Sequence, residues 1–141
     1  MKLVQGVVAL GLCGALMSLP SAARAEEEAD PVTTAAAAWL ALVDAGEYAQ
    51  SWGEAAEYFR GAMPQEAWVQ SITGVRSPLG AVVSRVLRAA ESATSLPGAP
   101  DGEYVVLQYE TTFEHKQAAT ETVTPTRDTD GTWRVSGYFI K

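Results

Sequence analysis

Helical and strand-like hydrophobic periodicities occupy separate halves of this chain. Up to about residue 80, apolar side chains recur at spacings of three and four, whereas from residue 104 onward they alternate with polar ones. The first period is typical of amphipathic helices and the second of half-buried strands. Because the helices precede the strands instead of alternating with them, the sequence predicts an α+β domain with an antiparallel sheet.

Three helices are predicted in the first half. Asp30-Pro31 provides an acidic N-cap followed by proline at the first helical position, and Gly46 ends this helix. A second helix is predicted over residues 47–61, and a third begins at Pro64. Their apolar faces consist of Trp39, Leu42 and Val43, of Tyr48, Trp52, Ala55, Ala56 and Phe59, and of Trp68, Ile72 and Val75.

The strand half begins with an ambiguous segment. Residues 81–95 fit either a helix or a strand, in which Arg85, Leu87 and Ala89 would share one face. Residues 104–113 alternate clearly. The inward set is Val105, Leu107, Tyr109, Thr111 and Phe113.

Two further strands complete a predicted four-stranded sheet. Residues 120–127 are rich in threonine but contain Pro125, which cannot donate a ladder hydrogen bond and therefore indicates a bulge or an edge strand. After a turn at residues 128–131, residues 132–140 form the last strand. We expect Trp133, Val135, Gly137 and Phe139 to face inward, and Arg134, Ser136 and Tyr138 outward.

Three helices packed on a curved four-stranded antiparallel sheet are typical of the nuclear-transport-factor-2-like cone, with a cystatin-like arrangement as the nearest alternative. In this geometry the concave face of the sheet and the helices enclose the main cavity. Candidate pocket residues lie on the core-facing stripes and on the first strand: Trp39, Trp52, Trp68, Arg85, Tyr109 and Trp133.

The first 25 residues have the three parts of a secretory signal. Lys2 is followed by an apolar run over residues 3–17 and by small residues that end in Ala23-Arg24-Ala25. An uncleaved anchor is the alternative, but the run is shorter than the roughly 20 apolar residues that a spanning helix needs. Cys13 lies within the run instead of at its end, unlike a lipid-bearing cysteine.

We therefore expect cleavage after Ala25 and a periplasmic or secreted product without membrane insertion. An acidic tail over residues 26–32 would precede one domain over residues 33–141. Cleavage removes two of the ten Lys and Arg residues and none of the 17 acids, which leaves a net charge of −9 and no cysteine. This charge argues against nucleic acid and anionic lipid as partners, and the domain gains no disulfide.

The titratable residues form no catalytic or metal-binding motif. His115 is the only histidine, whereas zinc and transition-metal sites take several His or Cys ligands. The segment Asp128-Thr129-Asp130-Gly131 lacks the remaining ligands of a calcium loop and is interpreted as a turn. No nucleophile elbow, P-loop or dinucleotide fingerprint is present. We expect no catalytic residue, metal or cofactor.

Several blocks of the sequence resemble domain-of-unknown-function family 4019 over about residues 34–141. The blocks are, in chain order, residues 38–48, Ser51-Trp52, Trp68, residues 76–80, Ser84-Arg85, residues 97–104, residues 121–123 and residues 131–138. The resemblance implies a small exported bacterial protein with no established activity, and a strand after Ser84. Pro125 departs from the family, which tends to keep an apolar residue there.

These observations favour a non-enzymatic module that binds an unknown small ligand or an envelope protein. The alternative is a cone-fold enzyme that uses a cavity carboxylate and a tyrosine, for which Asp44, Tyr48, Tyr109 and Tyr138 are candidates. A third possibility is a structural partner with a filled cone and an exposed apolar patch. Nothing in the sequence sets the oligomeric state.

The arginines near the start of the sheet have two interpretations. Arg76 and Arg85 are either a surface pair bonded to helix carboxylates or loop carbonyls, or Arg85 faces the cavity and binds an anionic group bidentately.

Overall fold

The computed structural model describes residues 30–141, and in this range helices precede one antiparallel sheet. The elements are α1 Pro31–Asp44, α2 Tyr48–Gly53, α3 Glu57–Ala62, α4 Gln65–Arg76, a 3-10 turn Ser77–Leu79, β1 Val82–Ala93, β2 Tyr104–Phe113, β3 Lys116–Arg127 and β4 Trp133–Ile140. The predicted α+β class with four antiparallel strands is confirmed. The predicted signal sequence and the tail up to residue 29 lie outside the described residues.

Helix α1 begins as its sequence predicts. The Asp30 side chain accepts a hydrogen bond from the Val32 N–H at 3.1 Å, and Pro31 occupies the first turn. The helix ends before Gly46, whose φ of 76° lies in the left-handed region that favours glycine. Its buried stripe consists of Val32, Ala36, Trp39, Leu40 and Val43.

The single helix predicted over residues 47–61 is wrong, because the segment forms two short helices. Ala55 and Ala56 lie at the break between α2 and α3 and are completely buried. The Ala56 N–H donates to the Val135 carbonyl of β4 at 2.8 Å. A hydrogen bond to the sheet thus replaces continued helix, which the apolar spacing could not reveal.

The sheet has the order β1-β2-β3-β4, so β1 and β4 are its edges. The ambiguous residues 81–95 contain β1, so the strand that the family resemblance implied is present. The helices pack mainly on β3 and β4, and within residues 30–141 no helix makes an extensive contact with β1. Val83, Val86 and Leu87 of β1 are exposed.

The inward face of β2 follows the predicted alternation. Leu107, Tyr109, Thr111 and Phe113 are buried, and Val105 is half-buried. Leu107 and Tyr109 join Val123, Val135 and the helix stripes in one core. The sequence indicated either an edge strand or a bulge at Pro125. The structure has the bulge, because β3 is a central strand and its register with β4 is irregular between Thr124 and Pro125.

The predicted faces of β4 are wrong after Val135. Thr124 pairs with Gly137 and Pro125 with Val135, so Ser136 is an extra residue in β4. Such a bulge inverts the alternation that follows it. Tyr138 therefore points inward, with its ring 5.3 Å from that of Trp39, whereas Phe139 is 51% exposed.

Gly137 also leaves the inward face, because it pairs with Thr124 on the side opposite to buried Val123. A similar bulge at Arg88 shifts the inward set of β1. Ala90, instead of Ala89, pairs with inward-facing Leu107.

The core should depend on Leu107, which is fully buried on a central strand. We expect Leu107→Ala to lower the free energy of unfolding by about 2–5 kcal/mol, because it removes apolar contacts and leaves a cavity. Urea denaturation monitored by circular dichroism measures this change. Val83→Ala on the exposed edge should change stability by less than about 0.5 kcal/mol. Equal losses in both variants would contradict this placement of the core.

Candidate functional site

A completely buried carboxylate, Glu121, lies on the inward face of β3. Arg85 of β1 donates to both of its oxygens, from Nε to Oε1 at 2.6 Å and from Nη2 to Oε2 at 3.1 Å. The hydroxyls of Thr111 and Tyr138 also donate to the carboxylate, one to each oxygen. Four donors from three strands therefore surround this one acid.

Arg85 also binds the end of α1. Its Nη1 and Nη2 atoms lie 2.7 and 3.0 Å from Oδ2 and Oδ1 of Asp44. Arg76 of α4 donates to the same Oδ1 at 2.9 Å. Asp44 is the last residue of α1, where a carboxylate opposes the helix dipole, and the two guanidinium groups compensate for this. Together Glu121, Arg85, Asp44 and Arg76 form the arginine–carboxylate network.

The surface interpretation of Arg76 is wrong, because this residue is only 5% exposed. Its guanidinium carbon lies 5.0 Å from the centre of the Phe113 ring, a cation–π contact. Arg85 does bind acids bidentately, but these acids belong to this chain. Asp44 is partly exposed and is paired with both arginines.

The network shifts the pKa values of its members and neighbours. Burial works against ionisation of Asp44, but its hydrogen bonds and charge contacts with Arg85 and Arg76 outweigh burial and lower its pKa below 3.8. Burial, reinforced by the charge of Glu121, raises the pKa of Tyr138. Burial also raises the pKa of Tyr109. The tyrosines therefore keep their protons at neutral pH, and the network connects structural elements instead of presenting a free base.

Three of the four tryptophans have structural roles. The indole N–H groups of Trp39 and Trp68 donate to Ser51, to its carbonyl and its hydroxyl respectively, each at 2.9 Å. That of Trp52 donates to the Met63 carbonyl at 2.7 Å. Each of these bonds joins two helical segments. These three candidate pocket residues therefore hold the helices together.

Trp133 differs from the others because its indole N–H has no hydrogen-bond partner within residues 30–141. It lines an open groove of about 760 Å³ between the start of α1 and the β1–β2 hairpin. We name this the Trp133 groove. Its lining residues are Asp30, Val32, Ala90, Ser92, Ala93, Thr94, Glu103, Tyr104, Val105 and Trp133.

Three smaller cavities lie elsewhere on the described domain. One of about 610 Å³ lies between α3 and the loop that precedes β2, and one of about 360 Å³ lies along α1 and β4. The third, of about 240 Å³, lies between α4 and the end of β4 and includes Tyr138. Of the predicted pocket residues, Trp39 and Trp133 share the cavity along α1 and β4, and Trp68 lines the one at α4. Trp52, Arg85 and Tyr109 line none of these four spaces.

Sequence reasoning about the site missed Glu121, although a signal was present. Ala119, Glu121 and Val123 share one face by alternation, which places a charge among apolar neighbours on a strand. A charged residue on an inward face requires a partner, and Arg85 was the available cation on the first strand. The acidic residues of the Trp133 groove gave no such pattern.

A family model described as "Protein of unknown function (DUF4019)" matches residues 35–138, and the chain belongs to this family. The predicted resemblance is therefore confirmed. No curated protein and no solved structure matches the chain. The nuclear-transport-factor-2-like assignment stays a prediction.

Two features are absent from residues 30–141. No three His, Cys, Asp or Glu side chains in this range are grouped so that they could hold a metal ion. Within the same range, no helix has the length and apolar character needed to span a bilayer.

Removal of Arg85 should strongly destabilise the fold. Arg85→Ala leaves Glu121 buried without its cation, and such losses cost about 3–5 kcal/mol. The matched control is Arg88→Ala on the same strand, whose pair with Glu110 is exposed on both sides. This variant should cost about 0–1 kcal/mol, as surface pairs do. Equal urea midpoints for the two variants would contradict a structural role for the network.

Asp44 should contribute to the acid sensitivity of the fold. Because its pKa is lower in the folded state, its stabilising effect is complete above about pH 4 and is lost as the pH falls through the folded-state value. The stability difference between the wild type and Asp44→Asn should therefore be largest near neutral pH and shrink in acid, as urea titrations at several pH values would show. Asp101→Asn, at an exposed position, should show no such trend. A constant difference would refute this assignment.

Proposed function

We propose that this protein is an exported, non-enzymatic binding module and that the Trp133 groove is its binding surface. The proposal combines two contrasting regions of the described domain. One is the arginine–carboxylate network, whose acids are paired within the chain. The other is the open Trp133 groove, and the indole N–H of Trp133 has no hydrogen-bond partner within residues 30–141.

The main support for the proposal is that the acids of the arginine–carboxylate network are already paired within the chain. An acid–base enzyme needs a carboxylate that can take up or release a proton next to its substrate. The Glu121 carboxylate instead accepts four hydrogen bonds from this chain, and its residue is 0% exposed. A substrate would have to displace Arg85 or Tyr138 before it could reach this acid.

The Trp133 groove has the composition of a binding site. Apolar and aromatic walls with a few polar groups are typical of ligand sites, because the apolar area supplies affinity and the polar groups orient the ligand. Val32, Val105 and Trp133 supply the apolar area, while Tyr104 and two carboxylates add polar groups. The tripartite leader over residues 1–25 supports export.

The contact between Glu121 and Tyr138 favours one competing function. It is a carboxylate–tyrosine pair, the arrangement that the cone-fold enzyme alternative requires, and Tyr138 lines the smallest of the four cavities. A hydrolase or isomerase activity of the purified protein that is lost in Glu121→Gln, with the fold retained, would replace the binding proposal.

Native mass spectrometry of the protein from the periplasmic fraction of its own host tests both parts of the proposal. We expect the mass of a chain that begins at Glu26, together with a bound species of higher mass. Trp133→Ala should lose this bound species, because the groove loses its largest wall. Phe139→Ala, which removes an exposed aromatic ring from the same strand, should retain it.

Two results would contradict this proposal. Recovery of the uncleaved chain from the cytoplasm alone would refute export. A folded wild-type protein that carries no bound species would refute its occupation by a host molecule, and a species that persists in Trp133→Ala would refute the groove as the binding surface.

A further inference from the structure

The backbone of β1 has a free edge along its length. This strand spans twelve residues and, within residues 30–141, pairs only with β2. No backbone hydrogen bond from any other part of residues 30–141 reaches it. Val83, Val86 and Leu87 remain exposed along it. A long apolar edge of this kind is a template for another strand, and proteins usually cover or charge such edges.

The second half of β1 also forms one wall of the Trp133 groove. Ala90, Ser92 and Ala93 of β1 line it together with Thr94, which follows the strand, and their small side chains leave the space that the groove occupies. Ala90 and Ser92 pair with Leu107 and Val105, which belong to the inward face of β2. Because strand side chains alternate between faces, every second side chain of an added strand would lie over the groove beside Trp133.

Charge distinguishes between the possible occupants of this edge. The cations of β1 are already paired, Arg85 with Glu121 and Asp44, and Arg88 with Glu110 at 3.0 Å. Glu91, in contrast, is exposed and makes no ion pair within residues 30–141. It pairs with Val106, so it lies on the face of the sheet opposite to the groove.

Further acidic residues lie at the groove end of the strand. Asp30 and Glu103 line the groove, and Glu103 is paired with Arg127 at 3.4 Å. A second copy of this chain would bring the same paired arginines and the same acids. A foreign segment with lysine or arginine would instead complement Glu91, which makes no ion pair within residues 30–141.

We infer that the Trp133 groove and the free edge of β1 together bind an extended, cationic segment of another polypeptide, which adds to the sheet as a fifth strand. This inference rests on the proposed function. Backbone hydrogen bonds to β1 would supply much of the affinity, as in other cases of strand addition. Alternate apolar side chains would fill the groove, and the intervening cationic side chains would lie on the side of Glu91.

A capped octapeptide of alternating lysine and valine is the probe. It is titrated into the isotope-labelled protein expressed from residues 1–141, and NMR shifts and amide hydrogen exchange are recorded. We expect the largest shifts at β1 and at the Trp133 indole, and slower exchange of the β1 amides that point away from β2. An octapeptide of alternating glutamate and valine should bind at least about tenfold more weakly, because its charges repel the acids at this end of the strand.

A third peptide separates strand addition from simple charge attraction. It keeps the lysines but carries proline at two central valine positions, which removes backbone N–H donors and breaks the extended ladder. We expect this peptide also to bind at least about tenfold more weakly, and binding equal to that of the parent peptide would overturn the inference.

Ala90→Arg tests the site on the protein. Ala90 is exposed, so the larger side chain should fill the groove without disturbing the core, and the added cation should repel the lysine peptide. Binding should weaken about tenfold or more. Val75→Arg, at an exposed position on α4 outside the groove, is the matched control and should leave binding within about twofold of the wild type.

Other outcomes separate this inference from the proposed function. A dimer in sedimentation that Ala90→Arg disrupts would assign the edge to a second copy and overturn the inference. If no peptide binds while the host-derived species still depends on Trp133, the inference fails and the groove remains the binding surface. If the peptide binds while no host-derived species is found, the titration supports binding of a cationic segment independently of the mass spectrometry result.

Discussion

The double contact of Arg85 with Glu121 and Asp44 holds this domain together. Glu121 is completely buried in the sheet, and a carboxylate in that position is very costly without a cation and hydrogen bonds. Arg85 lies on β1, an edge strand of the sheet, and its guanidinium group also binds Asp44 at the end of α1. Asp44 then binds Arg76 of α4. One chain of charges therefore joins the open edge of the sheet to two helices.

The same contact explains why one edge of the sheet can remain open. Helix packing stabilises β3 and β4, whereas β1 is held by its ladder with β2 and by the anchored Arg85 side chain. An apolar stripe on β1 is not required for this attachment, so small residues can occupy positions 89, 90, 92 and 93. The Trp133 groove is the space that these residues leave beside α1.

Much of the fold was predictable from local patterns, because helix caps, apolar spacing and strand alternation are local properties. The Asp30-Pro31 start of α1 and the buried face of β2 are examples. The errors arose where a distant contact overrides the local pattern. The sheet breaks the predicted helix through the bond between Ala56 and Val135, and the bulge at Ser136 exchanges the faces of Tyr138 and Phe139. The site was less predictable, since the burial and hydrogen bonds that separate Trp133 from the other tryptophans depend on tertiary packing.

The sequence alone determined the α+β class, the family, the order of the elements and a tryptophan-rich core. These follow from periodicity and from residue blocks that need no knowledge of long-range contacts. Only the tertiary structure decided that Glu121 is buried beside Arg85, that Trp133 is the tryptophan facing a groove, and that β1 stays uncovered. The reason is physical: burial and ion pairing depend on how distant elements pack, and a bulge of one residue changes which side chains meet.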